Sequence, residues 1–123
     1  MDPINRPAMA EVFFSSFRQP ASVNSYKGEF LAVNAAFTAA LGWSEDDLRE
    51  LAYYDLVSAS DRRSVIKIGT LVVRHAGSEP RTYRRAFRHK DGSFRLVEWT
   101  AWADPKASVV CSIGRVLGPT PPR

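Results

Sequence analysis

The sequence predicts an α+β domain: a five-stranded antiparallel sheet with short helices packed on one face and a further helix flanking it on the N-terminal side. Two blocks of opposite grammar carry this expectation. KGEFLAVNAAFTAALGWSEDDL, residues 27–48, reads as strand, capped helix, glycine stop and second capped helix. RHKDGSFRLVEW, residues 88–99, reads as the turn and return strand of a long hairpin. The third observation is order. Two strands, then several short helices, then three strands in succession collect the helices on one side of a single sheet.

Each element follows from local chemistry. Residues 1–7, MDPINRP, combine two prolines with polar groups and read as a loose lead-in. In AMAEVFFSSF, Met9, Val12, Phe13 and Phe17 recur at helical spacings, which predicts a helix over 8–17 that stops before Pro20. Its apolar surface is large for its length and needs cover, from this domain's sheet or from a partner subunit. Residues 21–25 and 29–33 read as strands about a turn at Lys27 and Gly28. Asn34 is placed to cap a helix over 35–41, whose Phe37 and Leu41 share a face, and Gly42 ends it. Ser44 with Asp47 three positions on resembles a capping box, and Ser58 with Asp61 repeats the signal ahead of a longer helix reaching about residue 75. Val65, Ile68, Gly69, Val72 and Ala76 trace one face of that helix.

From Arg81 the period changes to two. Residues 82–89 and 93–103 predict an antiparallel pair about a turn at Lys90, Asp91 and Gly92. On the return strand Phe94, Leu96 and Trp102 fall on one face and Val97, Trp99 and Ala101 on the other. A last strand is expected over 108–117, and the tail GPTPPR, residues 118–123, is expected to end the fold. The expected organisation is therefore a lead-in and flanking helix over 1–20, a domain over 21–117, and a proline-rich tail.

Size and composition bound the function. At 123 residues and 13.7 kDa the chain has the length of one domain with its own core. The single cysteine, Cys111, has no internal partner, and neither a long apolar run nor a signal-type N-terminus is present, so the expected location is cytoplasmic. Arg81, Arg84, Arg85, Arg88, His89, Lys90 and Arg95 crowd the hairpin, while Glu45, Asp46, Asp47 and Glu50 crowd one helix. Alternating arginines suit the wet face of a strand, and no nucleic-acid-binding helix pattern accompanies them.

Three pieces in order, GEFLAVNAAFTAALGWSEDDL, DLVSASDRR and YRRAFRHKDGSFRLVEW, resemble a PAS domain over residues 21–116. The resemblance implies a five-stranded sheet facing helices across a ligand pocket, and a role in signal transduction through dimers, ligand occupancy or partner contact. It also implies that residues 8–17 form the flanking helix that pairs two subunits. Two departures stand out. VSASD at 57–61 replaces the family's common V-H-P-D-D, and RVLGPT at 115–120 replaces the ending that leads into an effector helix.

No residue pattern points to a reaction centre. His75 and His89 have structural readings and lack metal-like spacing with cysteine or acids, so neither haem nor a structural metal is expected. Cys111 falls in the last strand, away from the region where light-sensing relatives carry a flavin-reactive thiol. Glu98 stands between Val97 and Trp99 with no second acid or histidine to form a proton-transfer pair, so a small isomerase-type enzyme is only a rival reading. The expected protein is a signalling module without a cofactor, acting through protein contact and homodimerisation, with little or no pocket. Met9, Val12, Phe13, Phe17 and Trp102 are its interface candidates. The alternative is a small-molecule or cofactor-binding sensor, whose pocket would draw on Phe30, Phe37, Val57, Val72, Phe87, Trp99 and Ile113.

Overall fold

The computed structural model describes residues 6–120, so the lead-in expected over 1–5 and the last three residues of the tail lie outside the described residues. The chain runs α1 (Arg6–Ser16), β1 (Ala21–Ser25), β2 (Phe30–Val33), α2 (Ala35–Leu41), α3 (Glu45–Leu48), a 3-10 turn (Tyr53–Leu56), α4 (Ala59–Arg74), β3 (Arg81–Arg88), β4 (Phe94–Asp104) and β5 (Val109–Thr120). All pairings in the sheet are antiparallel and its order is β2-β1-β5-β4-β3. The first strand therefore lies beside the last.

The punctuation of the first block operates as its residue types require. Asn34 caps α2 by accepting a hydrogen bond from the Phe37 amide at 2.9 Å, and Gly42 closes the helix in the left-handed region at φ 80°. Ser44 and Asp47 form a reciprocal capping box. The second S-x-x-D marks a helix start without a box: the Ser58 hydroxyl bonds with that of Ser60 instead of capping α4. Asp55 supplies a further turn that spacing did not announce, its carboxylate accepting from the Ala52 amide at 2.8 Å.

Burial follows these caps. Phe37, Leu41, Leu48, Leu56, Val57, Val65 and Val97 are the largest fully buried side chains, and all belong to one core between the helices and the sheet. The two blocks meet on its rim. Lys90 in the hairpin turn donates to Asp47 of α3 at 2.9 Å and its amide donates to the Leu41 carbonyl, while the Trp43 indole donates to the Arg88 carbonyl at 2.8 Å.

Two expectations are corrected. Gly118, Pro119 and Thr120 extend β5 and pair with Leu96, Arg95 and Phe94, so the first part of the tail belongs to the sheet. Proline is tolerated there because β1 pairs only as far as Ile113, leaving β5 an edge on that side with no amide needed. The helix α1 begins two residues early, with Pro7 in its first turn, where a missing N–H costs nothing. It does not cover the sheet. Met9, Val12 and Phe13 are 60%, 65% and 73% exposed, and the helix packs chiefly beside α2.

Candidate functional site

The inner face of the sheet and the helices α2 and α4 do not close completely on each other. A cavity of about 490 Å³ remains between them, within the range of small-molecule sites. The expectation from sequence is little or no pocket, with a ligand-binding cavity as the alternative, and this space suits the alternative. Large aromatic side chains here stand edge-on to one another and hold the layers apart: Phe30 to Phe37 at 5.8 Å and 68°, Phe87 to Trp99 at 5.7 Å and 69°. Phe37 also lies 6.0 Å from Trp99, so one connected ring array forms the wall.

Of the residues expected in a pocket, Phe30, Phe37, Val72, Phe87 and Trp99 line it. Val57 and Ile113 do not. Val57 is 1% exposed in the packed core, where it bridges to Phe87 across the backbone. On β5 it is Val110 and Ser112 that line the cavity, which puts Ile113 on the opposite face by strand alternation. The neighbouring Gly114 explains why the inner face is open at that point. A Cβ there would lie 2.6 Å from Cζ3 of Trp99, so only glycine lets the indole lie flat against the strand.

The polar part of the wall comes from β1, whose amphipathicity is reversed. Ser22 and Asn24 are buried towards the helices, whereas Val23 is on the more open face. Buried polar groups need partners, and these form a relay: the Ser22 hydroxyl donates to Asn24 Oδ1 at 3.0 Å, and Asn24 Nδ2 donates to the Gly28 carbonyl at 3.0 Å. Reasoning from hydropathy missed both residues. The signal that finds them is strand parity, since their neighbours Ala21 and Val23 pair with the outward-facing Ile113 and Cys111.

Two further groups fix the chemistry. The Trp99 indole is 3% exposed, and its N–H, packed within the array of Phe37, Phe87 and Trp99, has no hydrogen-bond partner among the described residues. Tyr53 lines the same space with its hydroxyl over Gly69, where a Cβ would lie 2.1 Å from the oxygen; the hydroxyl reaches the Val65 carbonyl at 3.4 Å. Burial, and secondarily the neighbouring Tyr54, push its phenol up to about 12. Burial likewise raises Tyr83.

No Asp, Glu, His or Cys is among the residues that line the cavity. Glu98 turns to the outer face, where Arg84 at 2.9 Å and Arg115 at 3.1 Å hold its carboxyl below the usual range. Much of the basic hairpin is satisfied in similar fashion: Arg88 donates to the Asp55 carbonyl and Arg85 to the Ser64 hydroxyl. No metal-ligating cluster occurs among the described residues. Cys111 is half-buried on the outer face opposite Trp102, and burial raises its thiol.

The interface candidates separate into two places. Met9, Val12, Phe13 and Phe17 line one open apolar groove along α1, with Phe13 and Phe17 stacked at 6.3 Å. Trp102 is half-buried on the outer face of β4 and takes no part in that groove.

Comparison with known proteins agrees with this geometry. A domain of a sensory box sensor histidine kinase/response regulator from Geobacter sulfurreducens superposes with a TM-score of 0.77 at 22% identity, covering 89% of this chain and 93% of that one. The PAS domain of an HTR-like protein from Haloarcula marismortui gives 0.76 at 19% identity, covering 90% and 96%. The PAS-B domain of Drosophila melanogaster Cycle, with bound ethylene glycol, gives 0.66 at 22% identity, covering 80% and 99%. No curated protein matches the sequence. The family model described as the PAS fold matches residues 8–102, most of the chain from α1 to Trp102, and the chain therefore belongs to the PAS family.

Proposed function

We propose that this domain is a signal-transduction sensor that holds a small molecule in its interior cavity. The observation that carries the reading is the cavity itself, about 490 Å³ between sheet and helices, walled by the rings of Phe37, Phe87 and Trp99 and carrying the buried polar pair Ser22 and Asn24. The solved PAS-B domain of Cycle with ethylene glycol bound supports the same reading by likeness. Native mass spectrometry of protein purified from its own host is the test. A retained non-covalent mass is expected, lost on Ala101→Leu, which fills the cavity without adding a charge; apo-protein alone, across gentle conditions, would count against the sensor.

A second activity, protein contact through a homodimer, is favoured by the exposed apolar residues of α1. Met9, Val12 and Phe13 present more apolar surface than a helix of this length ordinarily leaves in water. A second copy of the same groove would bury it with twofold symmetry. Sedimentation analysis should find dimers in the micromolar range, and a monomer throughout would overturn this part.

A further inference from the structure

The mouth of the cavity carries chemistry that its interior lacks. The exposed lining residues lie in two places: Tyr26 and Lys27 in the β1–β2 turn, and Ile66, Thr70 and Arg74 along one face of α4 at four-residue intervals. Lys27 and Arg74 are the charged residues of the lining, and both are cations. Neither forms an ion pair among the described residues, in contrast to Lys90, Arg84 and Arg115, which are matched by Asp47 and Glu98. Behind them the wall turns apolar and aromatic, with Leu56, Val65, Phe87 and Trp99.

We infer that the ligand is an amphipathic anion: an apolar monocarboxylic acid whose body lies among the rings while its carboxylate stays at the mouth between Lys27 and Arg74. This rests on the reading of the cavity as a ligand site. Three alternatives fit the surface less well. A dicarboxylate with its charges at opposite ends would bring the second one against Leu56 and Phe87, where nothing compensates it. A cationic ligand would have to pass two like charges. A neutral apolar molecule would fill the interior and leave both cations without a function. Long, flexible lysine and arginine side chains at a rim can keep their charged ends in water and still fold over a bound headgroup.

Two matched pairs of probes test the proposal at neutral pH by titration calorimetry: 2-naphthylacetic acid against 2-naphthaleneethanol, and decanoic acid against 1-decanol. The acid of a pair should bind about tenfold tighter than its alcohol, the range of one charge-assisted hydrogen bond. The preference should shrink as salt is raised, and should disappear in Lys27→Ala/Arg74→Ala, whose exposed positions leave the fold intact. A preference in either pair supports the inference, and the pair with the larger one distinguishes a flat ring from a chain. Equal or tighter binding of the alcohols would overturn the acid preference while leaving the cavity a ligand site. An acid preference that survives in the double variant would remove Lys27 and Arg74 from the assignment. If none of the four probes binds, this inference falls, and the retained mass sought by native mass spectrometry decides the sensor reading separately.

Discussion

Asn34 shows how one side chain can exceed the role its position implies. Besides capping α2, its Oδ1 accepts from the Ala21 amide at 2.9 Å, and its Nδ2 donates to the Gln19 and Phe17 carbonyls at 2.8 and 3.3 Å. It is 3% exposed, so no water can replace those bonds. Asn34→Ala should therefore cost about 2–4 kcal/mol in urea unfolding, the sum of a lost cap and buried groups left unpaired. The more open cap, Ser44→Ala, should cost only about 1 kcal/mol. Equal losses would show that the additional bonds contribute nothing. Tyr53 supplies a prediction in alkali. Its folded-state value of about 12 lies above the ordinary 10.0, so folding favours the neutral phenol. That contribution is complete below pH 10.0 and is lost as pH rises from there through about 12. Urea midpoints on either side of pH 10 should fall with rising pH, and Tyr53→Phe should reduce the fall.

At the scale of elements, the outer face of the sheet is a charged lattice and α1 is an apolar rod. Glu98 on β4 accepts from Arg84 on β3 and Arg115 on β5, tying three strands together across their wet side. Hydrogen bonds from Arg84 first, and then Arg115, depress its carboxyl below the ordinary 4.5. A depressed carboxyl stabilises the fold above its unfolded value, and the contribution disappears as pH falls through the folded value. Thermal unfolding of Glu98→Gln should thus show a shallower loss between pH 5 and pH 3 than the parent, while near neutrality the difference should be small because the network is exposed. For α1 the expectation is opposite in kind. Phe13 is 73% exposed, so Phe13→Ser should leave the melting temperature of the monomer unchanged and shift the sedimentation profile from dimer to monomer. An unaltered profile would place the contact elsewhere.

At the scale of the molecule, the sheet order joins the beginning of the chain to its end. Deleting residues 118–123 removes the pairing of Gly118, Pro119 and Thr120 with β4 and should lower stability by about 1–2 kcal/mol; a disposable tail would give no change. Pro119 hid this pairing from a reading of the sequence, because proline disqualifies a strand only where its missing amide faces a neighbour. The fold was otherwise legible: Asn34, Gly42, Ser44 and Asp47 are local signals, and local signals survive into structure when tertiary packing agrees with them. The site was legible only in part. Phe37, Phe87 and Trp99 could be placed because helix and strand periods assign their faces, whereas VVCSIG in β5 has apolar residues on both faces and gives parity nothing to choose between. The size of the cavity was beyond reach for a different reason. It depends on how far ring packing separates two layers, and on Gly114 and Gly69 admitting Trp99 and Tyr53 at close range, none of which a one-dimensional pattern records.

Asn34 stands three residues before Phe37, a ring in the cavity wall, and its amide grips the backbone at Phe17 and Gln19, where α1 gives way to β1. One side chain thus fastens three segments at a single point. Removing it would release the start of α2, the start of β1 and the link from α1 at a single stroke.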